Sequence, residues 1–156
     1  MWAIWIMIAG AALASFYALL PDANLAGPPP DMPAALAGDM ATYRSQLENY
    51  VLQNPTTVGA VPQTQFVQPA NWNYTSSRWQ NYVNNKVLVV YPATGGVPLP
   101  PGFLGAMLRQ AGYSVEAGSS QSGEIVNPLN NGGNVTLPAG MPPLTDGTPV
   151  WIAQVS

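Results

Sequence analysis

From Trp2 to Leu20 the chain runs 19 residues without a charged side chain. As a helix this run is about 28 Å long at about 1.5 Å per residue, close to a hydrocarbon core of about 30 Å. Seven of its residues are Leu, Ile or Phe. On an insertion scale they sum to about −2 to −4 kcal/mol, with no charge to oppose them. Trp2 and Trp5 lie at one end, and Phe16 and Tyr17 near the other, where an aromatic belt places such rings. A buried core helix needs only about 10–14 apolar residues, so the run predicts a membrane segment.

Ala12-Leu13-Ala14 matches a signal-peptidase site. However, no basic stretch precedes it, and the apolar run continues beyond it through Leu20. The expectation is a retained anchor at 1–20, with the short N-terminus inside and everything after it outside. Gly10 with Ala14, and Ala11 with Ser15, fall at four-residue intervals that permit close helix approach, so homo-oligomerisation through this helix is a candidate contact. Residues 21–30 (PDANLAGPPP) read as a stiff proline-rich linker.

Residues 31–156 are enough for one domain. Asp31 is placed to cap a helix to about Gln53, where Asn54-Pro55 stops it. Leu36, Met40, Tyr43, Leu47 and Tyr50 form an apolar stripe along it. Residues 56–80 read as loop, with a helical turn around Ser76–Tyr82. Lys86–Tyr91 (KVLVVY) is expected to be a strand buried on both faces. Pro101 opens a short helix to about Gln110, which Gly112 ends. Tyr113–Ala117 and Glu124–Asn127 read as strands joined through Gly118–Gly123, and Val150–Val155 as the last strand. The fold class is α+β: an anchor, a linker, and an amphipathic helix on a small antiparallel or mixed sheet with a second short helix.

Composition narrows the chemistry. The chain has no His and no Cys, which removes the commonest general base, thiolate nucleophiles and the usual zinc ligands. Only 7% of residues are charged, against about 25% in ordinary soluble domains. Four basic residues leave no footprint for nucleic acid. Gly95-Gly96 is followed by prolines where phosphate-binding amides are needed, so no nucleotide site is expected. Glu116 and Glu124 could meet across the expected hairpin and resemble a glycosidase pair, but an exposed hairpin explains them better. The serines of 118–123 lack an activating base. Asn73-Tyr74-Thr75 and Asn134-Val135-Thr136 match glycosylation sequons. No catalytic residue, metal site or cofactor is expected.

The aromatic cluster Trp72, Tyr74, Trp79 and Tyr82, with Arg78 among them, admits two readings: a sugar- or partner-binding surface, or cover for the edge of the core.

Several short motifs together resemble the PilM proteins of type IV (thin) pilus operons on conjugative plasmids and integrative elements. They are the MWA start with one apolar helix, Tyr43-Arg44, Tyr50-Val51, Asn54-Pro55 and Gly59-Ala60-Val61-Pro62. Trp79-x-x-Tyr82 before Val90-Tyr91, and the Thr148-Pro149-Val150-Trp151 close, complete the set. The resemblance implies a non-enzymatic inner-membrane component of pilus biogenesis and conjugation. Its domain would be periplasmic, its partners pilin or pilus assembly proteins, and it brings no catalytic residues. The alternative is a pilin-like subunit of the filament. Against that stand the missing basic leader and glutamate of pilins, and a proline linker that interrupts a spine helix.

Overall fold

A computed structural model describes residues 32–66, 78–129 and 133–156. The chain divides into two units, 1–30 and 31–156, and all described residues belong to the second. The expected anchor with Gly10, Ala11, Ala14 and Ser15, the linker, the Asp31 cap, and Trp72 and Tyr74 lie outside them. No helix among the described residues is long and apolar enough to cross a membrane.

Helix α1 spans Met32–Gln53. Its stripe buries Leu36, Met40, Tyr43, Leu47 and Val51, with Tyr50 packed at the margin. The helix ends at Gln53 because Pro55 disfavours helical dihedrals at the residue before it, Asn54. Helix α2, Phe103–Gln110, packs against α1 and buries Phe103, Ala106, Met107 and Leu108.

Six strands form one sheet among the described residues. They are β1 (Trp79–Asn84), β2 (Val87–Pro92), β3 (Ala117–Gln121), β4 (Glu124–Val126), β5 (Val135–Thr136) and β6 (Pro149–Gln154). Their order is β1-β2-β6-β3-β4-β5, and every pairing is antiparallel. The fold is therefore α+β with an antiparallel sheet. The last strand of the chain lies in the sheet's interior, with Val89 opposite Ile152 and Ala117 opposite Trp151.

Strand β2 is buried on both faces, as its apolar run predicts. Leu88 and Val90 join the core under the helices. Val89 and Tyr91 join a second cluster with Ile125, Val150 and Ile152 on the opposite face. That second face is covered by irregular chain, chiefly Leu137, Met141 and Leu144 of a proline-rich strap over 137–146.

Four local expectations are corrected. Of the helical turn expected around Ser76–Tyr82, residues 79–82 are instead the start of β1, whose side chains alternate between the two faces. Lys86 does not open β2: with Asn85 it forms the hairpin turn, at φ 64° and 54°. Both turn residues adopt the left-handed region, as a two-residue type I′ turn requires. Tyr113–Glu116 is turn, not strand. The supposed connector 118–121 belongs to β3, and only Ser122 and Gly123 make the turn to β4.

Candidate functional site

Strand β1 carries most of what the aromatic cluster offers, and its pleat divides the cluster. Trp79, Asn81 and Val83 face the helices, while Gln80, Tyr82 and Asn84 face the strap. Trp79 is only 4% exposed. Its ring stacks on Phe103 with centroids 5.7 Å apart and planes at 26°, and its indole N–H donates to the buried Asp39 carboxylate. The Trp79 side chain thus packs in the core, and an i, i+3 spacing puts it and Tyr82 on opposite faces of the strand. Tyr82 is half-buried, and its hydroxyl lies 3.4 Å from the Ala139 carbonyl. Arg78 is half-buried just before the strand.

Below Trp79, Asn81 organises a buried polar network that the sequence did not announce. Its Oδ1 accepts from Val61 N–H at 2.8 Å, and its Nδ2 donates to Val61 C=O at 2.9 Å and to the Tyr43 hydroxyl at 2.6 Å. A side-chain amide has the donor and acceptor of a peptide group, so Asn81 treats residue 61 as a strand neighbour would. Two residues away, Gly59 and Val83 exchange main-chain hydrogen bonds of 2.7 and 2.9 Å. Burial pushes the Tyr43 phenol above its ordinary value, and the Asn81 hydrogen bond opposes that shift. Phe66 closes the network from below, edge-on to Tyr43 at 5.2 Å.

On the other face, hydrogen bonds fasten the strap to the sheet, in addition to the Tyr82 contact and one from Ser122 N–H to the Asp146 carboxylate. Asn84 Nδ2 donates to Ala139 C=O at 2.9 Å. Leu137 N–H donates to Gly123 C=O at 3.0 Å, and Ser120 Oγ donates to Thr145 C=O at 2.7 Å. Two shallow cavities of 370 and 470 Å³ flank Pro143 and Leu144. A third, of 330 Å³, opens at the outer edge of β1 between Val61, Gln63 and Tyr91.

The catalytic candidates separate. Glu124 pairs across the β3–β4 hairpin with Gln121, and its carboxylate accepts from Asn134 Nδ2 at 2.8 Å. Glu116 precedes β3, so the two carboxylates do not meet across the hairpin. Ser120 is buried under the strap. Among the described residues no three acidic side chains gather at a metal-binding spacing. Apart from the Asp39 carboxylate and Arg78, the site is thus an arrangement of amides, hydroxyls and rings around the β1 edge, suited to hydrogen bonding.

A family model, PilM, matches residues 8–152. The chain belongs to the PilM family. Its fold is similar to the crystal structure of a protein designated PilM from Escherichia coli B7A, at 22% identity and a TM-score of 0.50. That likeness covers 78% of this chain and 90% of the other. No curated protein matches the chain. PilM membership supports a pilus-related role for the chain.

Proposed function

We propose that this PilM protein is a membrane-anchored, non-enzymatic component of type IV pilus biogenesis that supports conjugation. Trp2–Leu20 anchors it in the inner membrane, and the α+β domain contacts pilin or other assembly proteins from the periplasm. One observation carries this reading: the family match begins at residue 8, inside the apolar run, and continues to residue 152. Apolar segment and domain are therefore matched together as parts of one family pattern. The absence of His and Cys from the whole sequence favours contacts over catalysis.

The competing reading is a pilin-like subunit, and α1 lying on an antiparallel sheet is the feature that favours it. Shearing cells and fractionating the protein separates the two. The assembly reading requires retention with the inner membrane when filaments are removed. Release in proportion to pilin would replace it with the filament reading.

A further inference from the structure

We propose that the outer edge of β1 at Trp79–Asn81 is a docking site for an extended, uncharged peptide segment of a partner protein, added to the sheet as a further strand. The inference concerns how this domain would hold a partner and does not depend on that partner being a pilus protein.

The geometry begins with the ladder. In an antiparallel pair, alternate residues turn their main-chain N–H and C=O toward the neighbouring strand. Residues 78 and 80 bond inward to β2: Ala93 N–H donates to Arg78 C=O at 2.8 Å, and Gln80 is registered with Tyr91. Val83 bonds outward, to Gly59. The same alternation turns the main-chain groups of Trp79 and Asn81 outward with those of Val83. Among the described residues no main-chain partner meets them.

The Gly59–Val61 segment would cover this edge if it continued pairing from Gly59. It does not, because the Asn81 side chain intercepts Val61 and bonds both its N–H and its C=O. Val61 is thereby held by the Asn81 side chain in place of the β1 main chain. A cavity of 330 Å³ lies there, lined by Trp79, Gln80 and Asn81 in sequence. It is bordered by Tyr43 and Val61 from the helix face and by Tyr91 and Pro142 from the strap face. A cavity with walls from both faces of a sheet is open along the strand edge.

Two features specify the occupant. Gln63 lines the cavity, and its Oε1, turned away from solvent, has no donor among the described residues, so a turn of this side chain would bring an unmet acceptor to the occupant. A buried acceptor lacking its hydrogen bond is unusual in folded proteins, and a peptide N–H supplies what it lacks. No lining residue carries a charge, so a charged segment would be desolvated there without compensation. Strand addition draws its affinity from main-chain hydrogen bonds, and its dependence on side chains comes from pockets for alternate residues, so affinity itself makes a modest demand on sequence with some tolerance.

That tolerance allows a test with a defined probe. Amide-resolved hydrogen exchange is measured on the full-length chain in detergent micelles, alone and with a capped hexapeptide of alternating Thr and Val. A matched peptide, N-methylated at alternate residues, lacks the donors. The Trp79 and Asn81 amides should exchange fast while Gln80 and Tyr82 are protected, and the unmethylated peptide should then protect all four. The methylated peptide should bind about tenfold more weakly, the equivalent of one to three lost hydrogen bonds. Gln63→Leu should weaken binding about fivefold with β1–β2 exchange unchanged.

Slow exchange at Trp79 and Asn81 without peptide overturns the proposal, since the edge is then already covered by the chain itself or by a second copy. Unchanged exchange at saturating peptide overturns it too. Equal binding by both peptides means apolar adsorption in place of strand addition, and rejects it.

Discussion

The two faces of the sheet are closed in different ways. Under the helices, Leu36, Met40, Leu47, Leu88, Val90 and Met107 interdigitate, all at most 3% exposed. The covering elements there satisfy their own main-chain hydrogen bonds internally, so they bring side chains to the core at little polar cost. Across the sheet, Val89, Ile125, Val150 and Ile152 are equally apolar, yet their cover is a proline-rich strap whose own apolar residues are only half-buried. Lacking helix or strand ladders, the strap relies on bonds such as that from Asn84 to Ala139 C=O. One face is held by packing and the other by a few polar fasteners, and their responses to substitution should differ accordingly.

Truncation gives the largest contrast. Leu47 is fully buried, so Leu47→Ala should cost about 2–5 kcal/mol through lost transfer energy and a residual cavity. Leu144, half-buried in the strap, should cost about 1 kcal/mol on the same change. Urea midpoints of the full-length variants measure both. Equal losses would mean that the strap is as integral to the core as α1.

Asn81→Leu should come next. It keeps side-chain volume while removing the amide that bonds Val61 N–H and C=O and donates to the Tyr43 hydroxyl. The expected loss is on the order of 1–3 kcal/mol, because buried polar groups then go unpaired. A neutral outcome would show that water replaces the amide and that the helix face tolerates polar defects as readily as the strap.

The same contrast governs how much the sequence disclosed. The α1 stripe and β2 were legible because burial there follows a simple period, of 3.6 residues on the helix and of an unbroken apolar run on the strand. β3 was not, since Ala-Gly-Ser-Ser-Gln has no apolar alternation. Its place is set by shape: a Cβ at Gly118 would lie 2.4 Å from Val126 C=O, so only glycine lets β3 and the chain at Val126 approach this closely. The aromatic cluster was ambiguous in the sequence for a related reason. Trp79 and Tyr82 are near in sequence, but a strand's period of two separates them, and only the assignment of β1 as a strand reveals it. Gln63 and the buried network at Asn81 carried no signal, because amides are unremarkable in a chain so rich in Asn and Gln.

Titration at high pH probes one phenol on each face. Burial raises the pKa of both Tyr43 and Tyr91 above 10.0. The folded state therefore binds these protons more tightly than the unfolded state. Their contribution is complete below about pH 10 and falls as pH rises from there through the folded values. Tyr43→Phe and Tyr91→Phe should each flatten part of that alkaline decline in urea midpoints. An unchanged slope for Tyr91→Phe alone would mean that the strap admits solvent to the second face.

The smallest effect should come from Asn84→Ala, and it is the most informative about the strap. Asn84 sits where β1 turns toward Lys86, and its amide is the closest β1 donor to Ala139 C=O, at 2.9 Å against 3.4 Å for the Tyr82 hydroxyl. Removing it deletes one hydrogen bond at a partly exposed position, worth about 0.5–1.5 kcal/mol. Because Tyr82 remains beside the same carbonyl, the global urea midpoint should move little. Amide exchange should instead accelerate at Met141, whose N–H bonds within the strap to Pro138 C=O, and stay unchanged across α1. A strap held by fasteners opens locally when one is cut, whereas a strap held by packing would transmit the loss to the whole domain. Exchange rising equally in α1 and the strap would therefore erase the distinction between the two faces.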